Sequence, residues 1–138
     1  MKNKFVIIGC GRFGARIANE SSRDGENVVV VDSDSTSFDR LNDDYSGYTI
    51  SCDATDVASL EEDCYIKDAY RLLISTGDDN INLFLSHVAL SLYDVPEIFV
   101  RFNDPSFSSL IDQEKIKAIY PFELSLKKFK NMLQGERK

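Results

Sequence analysis

The sequence predicts an α/β fold, in which six strands of a doubly wound parallel sheet alternate with helices that cover both faces. Three observations support this prediction. A short apolar run, residues 5–8, leads into glycines spaced G-x-G-x-x-G. A second run, residues 28–31, consists of valines without polar alternation, which is typical of a strand buried on both faces. Further short apolar runs alternate with helical patterns along the chain, as successive βα units require.

The composition limits the possible partners. The chain has 138 residues, the length of one domain, and we expect a single unit over residues 1–138. Its net charge is −7, so binding to nucleic acid or to an anionic membrane surface is not expected. We also expect no membrane insertion, because no apolar run approaches the roughly 20 residues of a membrane span. We expect no signal peptide, because the apolar run near the N-terminus covers only residues 5–8. Cys10, Cys52 and Cys64 lack metal-ligand spacing, and we interpret them as reduced thiols of a cytoplasmic protein.

The first element is a strand over residues 5–8, which a tight glycine turn joins to a helix over residues 13–24. In this pattern Gly9 lets the chain turn, Gly11 lets backbone amides approach a phosphate, and Gly14 lets the helix pack closely on the strand. The free N–H groups at the start of the helix, with its positive dipole end, would form an anion site. The alternative is that the glycines serve only to pack a strand, a turn and a helix.

The second strand ends at Asp32, about 20 residues past the glycines, where a Rossmann unit accepts hydrogen bonds from ribose hydroxyls. A carboxylate at this position would repel a 2′-phosphate. The position therefore favours an NAD-type or plain adenosine nucleotide over NADP. Asp32 could instead cap the helix that follows it.

The later elements continue the alternation. After the second strand we predict, in order, a short helix over 35–43, a strand over 48–51, a helix over 57–64, a strand over 71–75, a largely buried helix over 80–93, a strand over 97–102, a helix over 105–113, a strand over 118–120 and a final helix over 121–133. Two of the helix starts have cap residues, Asp56 before the helix at 57 and Asp104 before Pro105. The short loops between these elements are typical of a doubly wound sheet.

Polar clusters follow the predicted strands at their carboxyl ends, which form the rim where a doubly wound sheet binds ligands. The clusters are residues 9–14, Asp32, residues 53–55, residues 76–80 and residues 101–103. Purely structural roles are open for several members. Asp53 could be a turn residue, residues 76–80 could only cap the next helix, and Arg101 could pair with a nearby aspartate.

One combination of motifs extends along the chain: Gly9-Cys10-Gly11-Arg12-Phe13-Gly14, the valine run with Asp32, Asp53-Ala54-Thr55, Thr76 with Asp78-Asp79-Asn80, Val100-Arg101 and Tyr120-Pro121. The combination resembles the RCK or KTN (TrkA-N) N-terminal domain of Trk and Ktr potassium uptake systems, over essentially the whole chain. The resemblance implies a non-enzymatic gating subunit in the cytoplasm, peripheral to the membrane through its partner. It further implies homodimers that assemble into an octameric ring under a membrane potassium translocator, with ATP, ADP, NAD or NADH as ligand.

By match of position, the resemblance implies a set of cofactor-binding residues and no catalytic or metal-binding residue. The glycines would hold the phosphates, and Asp32 would hold the ribose. Asp53 and Ala54 would meet the adenine edge, and Thr76 would line the floor of the pocket. Arg12 would reach a terminal phosphate, of its own ligand or of one in the neighbouring subunit, and Arg101 could also face the phosphates. The whole set is Gly9, Cys10, Gly11, Arg12, Phe13, Gly14, Asp32, Ser33, Asp53, Ala54, Thr55, Thr76, Gly77, Asp78 and Arg101.

The chain departs from the family's usual pattern at three places. Cys52 stands where glycine is usual, next to the residues expected at the adenine. Phe122 follows Pro121 where many members have glutamate, and Glu123 comes one later, so the family's cation site is not assigned to this chain. Because the sequence ends at Lys138, we do not expect the usual smaller C-terminal domain in this chain, and sensing of cyclic di-AMP is not assigned to it.

The final helix has an apolar stripe whose partner is open to two interpretations. Phe122, Leu126, Phe129 and Leu133 recur at helical spacing. In a monomer such a stripe would cover the chain's own sheet. The resemblance instead suggests a helix that crosses over to a second subunit of a dimer.

The rival function is a fragment of an NAD-dependent oxidoreductase. A dehydrogenase needs an acid–base residue beside its cofactor, commonly from a substrate domain, and 138 residues leave little room for one. His87 lies inside the helix predicted over 80–93 and has no partner at a catalytic spacing. The residues therefore favour a regulator over an enzyme.

Overall fold

A single six-stranded sheet organises the computed structural model, which describes residues 1–135. The strands are β1 (Lys4–Ile8), β2 (Val28–Asp32), β3 (Tyr48–Ser51), β4 (Ala69–Ile74), β5 (Glu97–Arg101) and β6 (Ile116–Ile119). All neighbours pair in parallel, in the order β3-β2-β1-β4-β5-β6. The order reverses at β1, which confirms the predicted doubly wound, Rossmann-like fold. The domain predicted over residues 1–138 extends three residues past the described part.

Four α-helices form within the described residues: α1 (Arg12–Arg23), α2 (Val57–Asp63), α3 (Asp79–Ser91) and α4 (Pro121–Leu133). They confirm the helices predicted after the first, third, fourth and sixth strands. Within residues 1–135, no helix has the length and apolar character that crossing a membrane requires.

The helices predicted after β2 and β5 are wrong in type and length. These segments form only short 3-10 helices, Ser35–Arg40 and Pro105–Leu110. In each of them a serine hydroxyl, of Ser37 or Ser109, donates to the backbone carbonyl three residues earlier. Each segment has six residues, and the backbone of the residue that follows it is extended, so the predicted helices do not continue.

Strands β4 and β6 begin earlier than predicted, at Ala69 and Ile116. Both residues are almost completely buried, so they lengthen the apolar rows of the core. At the start of β4, the pairing with β1 shifts register between Lys4 and Phe5. The predicted strand covered only the run that starts at residue 71, whereas pairing with β1 extends the strand back to Ala69.

Apolar side chains are buried on both faces of the sheet. The valines of β2 divide between the faces, with Val29 and Val31 in one cluster and Val28 and Val30 in the other. This division confirms that the valine run is a strand buried on both sides. Helix α3 adds side chains to the first cluster and α1 to the second. The two packed layers fix the strand ends, and the loops that follow them, relative to one another.

Helix α4 stands apart from this core, since none of its residues is buried. Phe122 is 62% exposed, Phe129 54% and Leu133 69%. The interpretation in which the apolar stripe covers the chain's own sheet is therefore wrong. The helix follows β6, which is the edge strand of the sheet, and its apolar side chains remain exposed.

Candidate nucleotide-binding site

An open cavity of about 530 Å³ lies at the carboxyl ends of β1, β2 and β4, where the strand order reverses. This volume falls in the range typical of small-molecule sites. The predicted site residues that line it are Gly9, Cys10, Gly11, Asp32, Ser33, Asp53, Ala54, Thr55, Thr76, Gly77, Asp78 and Arg101. The wall is completed by Ile8, Val31, Asp34, Ser37, Arg40, Cys52, Ser75 and Ile81. Arg12, Phe13 and Gly14, which form the first turn of α1, are not part of the wall.

Each of the three motif glycines has a different structural reason for lacking a side chain. Gly9 has φ +107°, and a Cβ there would lie 2.6 Å from the carbonyl oxygen of Ser75. A Cβ at Gly14 would lie 1.9 Å from the carbonyl oxygen of Gly9, so α1 can approach the turn only without a side chain. A Cβ at Gly11 would meet no atom within 4 Å, although Gly11 lines the cavity. Gly9 and Gly14 are therefore required by the fold, whereas Gly11 keeps space open.

The start of α1 leaves backbone amides without a side-chain cap. Gly11 occupies the cap position, has no side chain, and accepts the first helical bond from the amide of Ala15. The first turn contains no acidic residue. In contrast, Asp56 caps α2 and Asp78 caps α3. Uncapped N–H groups with the positive end of the helix dipole favour an anion at this point of the cavity.

Asp32 ties together the exits of β1 and β2. Its Oδ2 accepts from the amide of Cys10 at 2.7 Å, and its Oδ1 accepts from the amide of Asp34 at 2.9 Å. The interpretation of Asp32 as a helix cap is wrong, because Asp34 caps the following 3-10 helix by accepting from the amide of Thr36. Each carboxylate oxygen of Asp32 can accept a further hydrogen bond, and the half-buried side chain lines the cavity.

The segment after β3 forms a tight turn on the opposite side of the cavity. Asp53 Oδ1 accepts from the amide of Thr55 at 2.9 Å and from its hydroxyl at 2.6 Å. These hydrogen bonds lower the pKa of the Asp53 carboxyl, which therefore stays ionised. Asp53 thus has the turn role that the sequence left open. The turn also presents Ala54, which is buried, to the cavity wall.

Carboxylates after β4 hold the backbone amides of two loops. Asp78 accepts from the amides of Asn80 at 2.8 Å and Ile81 at 3.2 Å, so it has the helix-capping role considered for it. Asp79 does not cap α3. Its two oxygens accept from the amides of Asn103 and Asp104, at 2.8 and 2.9 Å, in the loop after β5. The loops after β4 and β5 are therefore joined through one side chain.

Asn82 was not among the predicted residues, yet it links the same two strand ends from inside the core. Its side chain is fully buried. Its amide nitrogen donates to the carbonyl of Thr76 at 3.0 Å and to that of Arg101 at 2.8 Å, while its oxygen accepts from the Thr76 hydroxyl. In the sequence, Asn82 is one polar residue within a helical pattern, and nothing near it indicates that it links two strand ends. Only the tertiary structure shows this role.

Two guanidinium groups stand at the cavity. Arg101 lies 5.7 Å from the centre of the Phe13 ring and, within residues 1–135, forms no ion pair, so the pairing with an aspartate is wrong for this region. Arg40 was missed by the sequence analysis. Its side chain donates to the carbonyl of Cys10 at 3.2 Å across a sequence separation of 30. Arg12 is exposed and lies outside the wall.

The cavity therefore combines donors and acceptors in separate places. Uncapped amides, Arg40 and Arg101 suit anionic oxygens. Asp32 suits hydroxyl groups, since an ionised carboxylate only accepts hydrogen bonds. Among the described residues, the wall includes no histidine or lysine. An elongated ligand with a phosphate end and a sugar in its middle fits this arrangement.

Comparison with known proteins gives matches along most of the chain. The model of the TrkA-N domain family matches residues 5–121. The Trk system potassium uptake protein TrkA of Streptomyces coelicolor is 33% identical over 100 residues, which are 72% of this chain and 44% of that protein. A TrkA homolog of Methanothermobacter thermautotrophicus is 32% identical over 100 residues, covering 72% of this chain and 45% of that protein. The chain thus spans under half the length of these curated relatives.

A solved structure resembles the fold over nearly its full length. It is the NAD(P)-binding domain of an exopolyphosphatase-related protein from Archaeoglobus fulgidus, with a TM-score of 0.73 and 20% sequence identity. The likeness covers 95% of this chain and 97% of the other. At this identity the comparison establishes the shared α/β architecture alone.

Proposed function

The chain belongs to the TrkA-N domain family, and we propose that it is a nucleotide-sensing regulatory domain of a Trk- or Ktr-type potassium uptake system. The ligand is an adenosine nucleotide without a 2′-phosphate: ATP, ADP, NAD or NADH. One observation carries the proposal, namely that the uncapped start of α1, Asp32 and the Asp53 turn meet at one cavity. The matched relatives are named as Trk potassium uptake proteins, which supports the assignment to potassium transport.

The proposed ligand lies across the carboxyl ends of the strands. Its phosphates meet Gly11 and the start of α1, with Arg40 and Arg101 available for their charge. Its ribose hydroxyls donate to Asp32, which would repel a 2′-phosphate. Its adenine lies toward Ala54, on the side of β3. Among the described residues, the wall has no histidine or lysine that could serve as the acid–base group of a dehydrogenase, which favours a binding role over hydride transfer.

A thermal-shift series with ATP, ADP, NAD, NADH, AMP and NADP tests this function. A ligand at 100 times its Kd adds about 2.7 kcal/mol to the stability of the folded state, which raises the melting temperature by several degrees. We expect such a rise with at least one of the first four nucleotides and none with NADP. A flat response to all of them would overturn the proposal.

The proposed regulatory signal is the presence or absence of the terminal phosphate, which distinguishes ATP from ADP. Arg12 is proposed to contact this phosphate. An arginine in the first turn opposes the helix dipole unless an anion is near, and Arg12 is exposed there. In an assembly it could meet the ligand of its own or of the neighbouring subunit. Differential contact with ATP and ADP would then bias the conformation of the ring.

Arg12→Ala is expected to reduce the preference between ATP and ADP about fivefold, the low end of typical coupling energies. Calorimetry with both nucleotides measures the change. The control is Arg16→Ala, one turn further along α1, where the guanidinium pairs with Glu20 at 2.7 Å on the exposed surface. Unchanged ATP and ADP affinities in Arg12→Ala would remove Arg12 from the mechanism.

Assembly is proposed to proceed through α4, as homodimers and then a ring beneath a membrane potassium translocator. The support is the uncovered apolar stripe, in which Phe122, Leu126 and Phe129 lie at helical spacing and are all exposed. A second copy of the helix, or the sheet of a second copy, would remove that surface from water. The proposed location is cytoplasmic, at the membrane only through the translocator.

Phe129→Ser is expected to weaken the dimer by about 2 kcal/mol, or roughly 30-fold in Kd, because a large apolar side chain leaves the interface. Light scattering over a dilution series measures the change. Lys128→Ser, the neighbouring exposed position, is the control and should dimerise normally. A wild-type chain that remains monomeric at all concentrations would contradict the assembly.

A further inference from the structure

Two cysteines lie together behind the side of the cavity assigned to the adenine. Cys52 directly follows β3, is half-buried and belongs to the cavity wall. Cys64 ends α2 and is fully buried. Their Sγ atoms are 3.0 Å apart, although the residues are 12 positions apart in the chain. Both are free thiols in this structure.

We propose that Cys52 and Cys64 form a reversible disulfide, and that this modification weakens nucleotide binding in the adjacent cavity. The part that concerns nucleotide affinity rests on the proposed function above, whereas disulfide formation does not. The modification would make the same site respond to the thiol–disulfide balance of its surroundings as well as to nucleotide.

The geometry requires only a small movement. A disulfide has an S–S bond of about 2.05 Å, so the sulfurs must approach by about 1 Å. The elements that carry them can adjust, because β3 is an edge strand and α2 is short, from Val57 to Asp63. The third thiol is not a competitor. Cys10 belongs to the cluster on the opposite face of the sheet, where its Sγ donates to the carbonyl of Ser37.

The oxidant is a small dialkyl disulfide, and the more accessible thiol reacts first. The thiolate of Cys52 attacks one sulfur of the small disulfide, which forms a mixed disulfide and releases one small thiolate. Cys64 then loses its proton and attacks the Cys52 sulfur, which expels the second small thiolate. The two released thiolates take up the two protons of the protein thiols. One small disulfide is thereby reduced to two thiols, and excess small thiol reverses both steps.

The order of the two steps follows from burial. Burial raises the pKa of the Cys64 thiol, so this group is a poor first nucleophile. Once the mixed disulfide is in place at Cys52, Cys64 is the thiol within contact distance of the sulfur that must be attacked. Cys64 is therefore the resolving group.

The effect on binding follows from the position of Cys52 between Asp32 and the turn that begins at Asp53. Its backbone amide donates to the carbonyl of Asp32 at 3.2 Å, the last bond between the exits of β2 and β3. Asp53 and Ala54 follow it directly and form the adenine side of the cavity. Drawing Cys52 toward α2 would strain this hydrogen bond and shift the turn relative to Asp32, so the ribose and adenine contacts become weaker when they are made together.

The test equilibrates the full chain in glutathione buffers of increasing oxidised fraction, followed by acid quenching, alkylation and peptide mass mapping. We expect a Cys52–Cys64 crosslink that dithiothreitol reverses, with Cys10 alkylated throughout. Oxidation should raise the melting temperature by about 5 °C or more, as closing a loop of this length does. Calorimetry with ADP should show an affinity about tenfold lower for the oxidised chain. Cys64→Ser should abolish the crosslink and leave Cys52 as a mixed disulfide with glutathione, and Cys64→Ala serves if the serine variant does not fold.

The outcomes separate the two claims. If both thiols remain open to alkylation in the most oxidising buffer, or if Cys10 forms the crosslink, the modification site is wrong. If the crosslink forms and ADP affinity changes less than twofold, the coupling is wrong. If the reduced chain binds none of the nucleotides, the proposed function fails, while mass mapping still decides the disulfide.

Discussion

Replacing Gly14 by alanine is expected to lower the free energy of unfolding by about 3 kcal/mol or more. The new Cβ would lie 1.9 Å from the carbonyl oxygen of Gly9, a backbone atom that cannot rotate away. Either α1 must move off the sheet or the turn after β1 must open. Because a domain is stable by only about 5–15 kcal/mol, this change removes a large part of the total. Urea unfolding followed by circular dichroism measures it.

Gly11→Ala is the matched control for Gly14→Ala, since it adds the same methyl group at the second glycine of the motif. Nothing lies within 4 Å of a Cβ there, so stability should change by less than about 0.5 kcal/mol. Gly11 lines the cavity, however, and the methyl group would occupy space next to the uncapped amides of α1. Nucleotide affinity should therefore fall about tenfold or more. Equal losses of stability in the two variants would contradict this division of roles.

Replacing Asp32 by alanine is expected to weaken nucleotide binding about 100-fold. Two ribose hydroxyls would lose a charged acceptor, and hydrogen bonds to charged groups contribute about 1.5–3 kcal/mol each. The amides of Cys10 and Asp34 would also lose the carboxylate that aligns the strand exits. Discrimination against NADP should fall as well, because the charge that repels a 2′-phosphate is gone. Calorimetry with NAD and NADP measures both effects.

The ratio of the two affinities is the sharper readout, because a general loss of order would lower both values together. Asp43→Ala, which removes an exposed carboxylate outside the cavity wall, is the control and should leave the ratio unchanged. If Asp32→Ala keeps the full preference for NAD over NADP, Asp32 does not contact the ribose.

The strand and helix order could be predicted because local patterns determine it. The valines of β2 have no polar alternation, and the glycines between β1 and α1 fit one turn geometry. The segments that were wrong depend on more than local composition. The predicted helices over 35–43 and 105–113 form only short 3-10 helices, and the starts of β4 and β6 are set by pairing with neighbouring strands.

The site could be predicted where it depends on strand ends, since parallel strands bring their carboxyl ends to one rim. Asp32 and Asp53 reach the cavity for this reason. Arg40 and Asn82 could not be predicted, because their partners lie far away in sequence, 30 positions for Arg40 and 19 for the bond from Asn82 to Arg101. Arg12 was placed in the site by likeness of motif, and its contribution depends on contacts outside this single chain.

Because α4 is exposed, we expect its local stability to be lower than that of the sheet. The helix has 13 residues and buries none of them, and an isolated helix of that length is marginal in water. Its backbone hydrogen bonds can therefore open while the sheet stays intact, so its amide protons should exchange with solvent far faster than those of the central strands. The stability of α4 therefore depends on a surface that packs against it, because the chain's own sheet does not cover it.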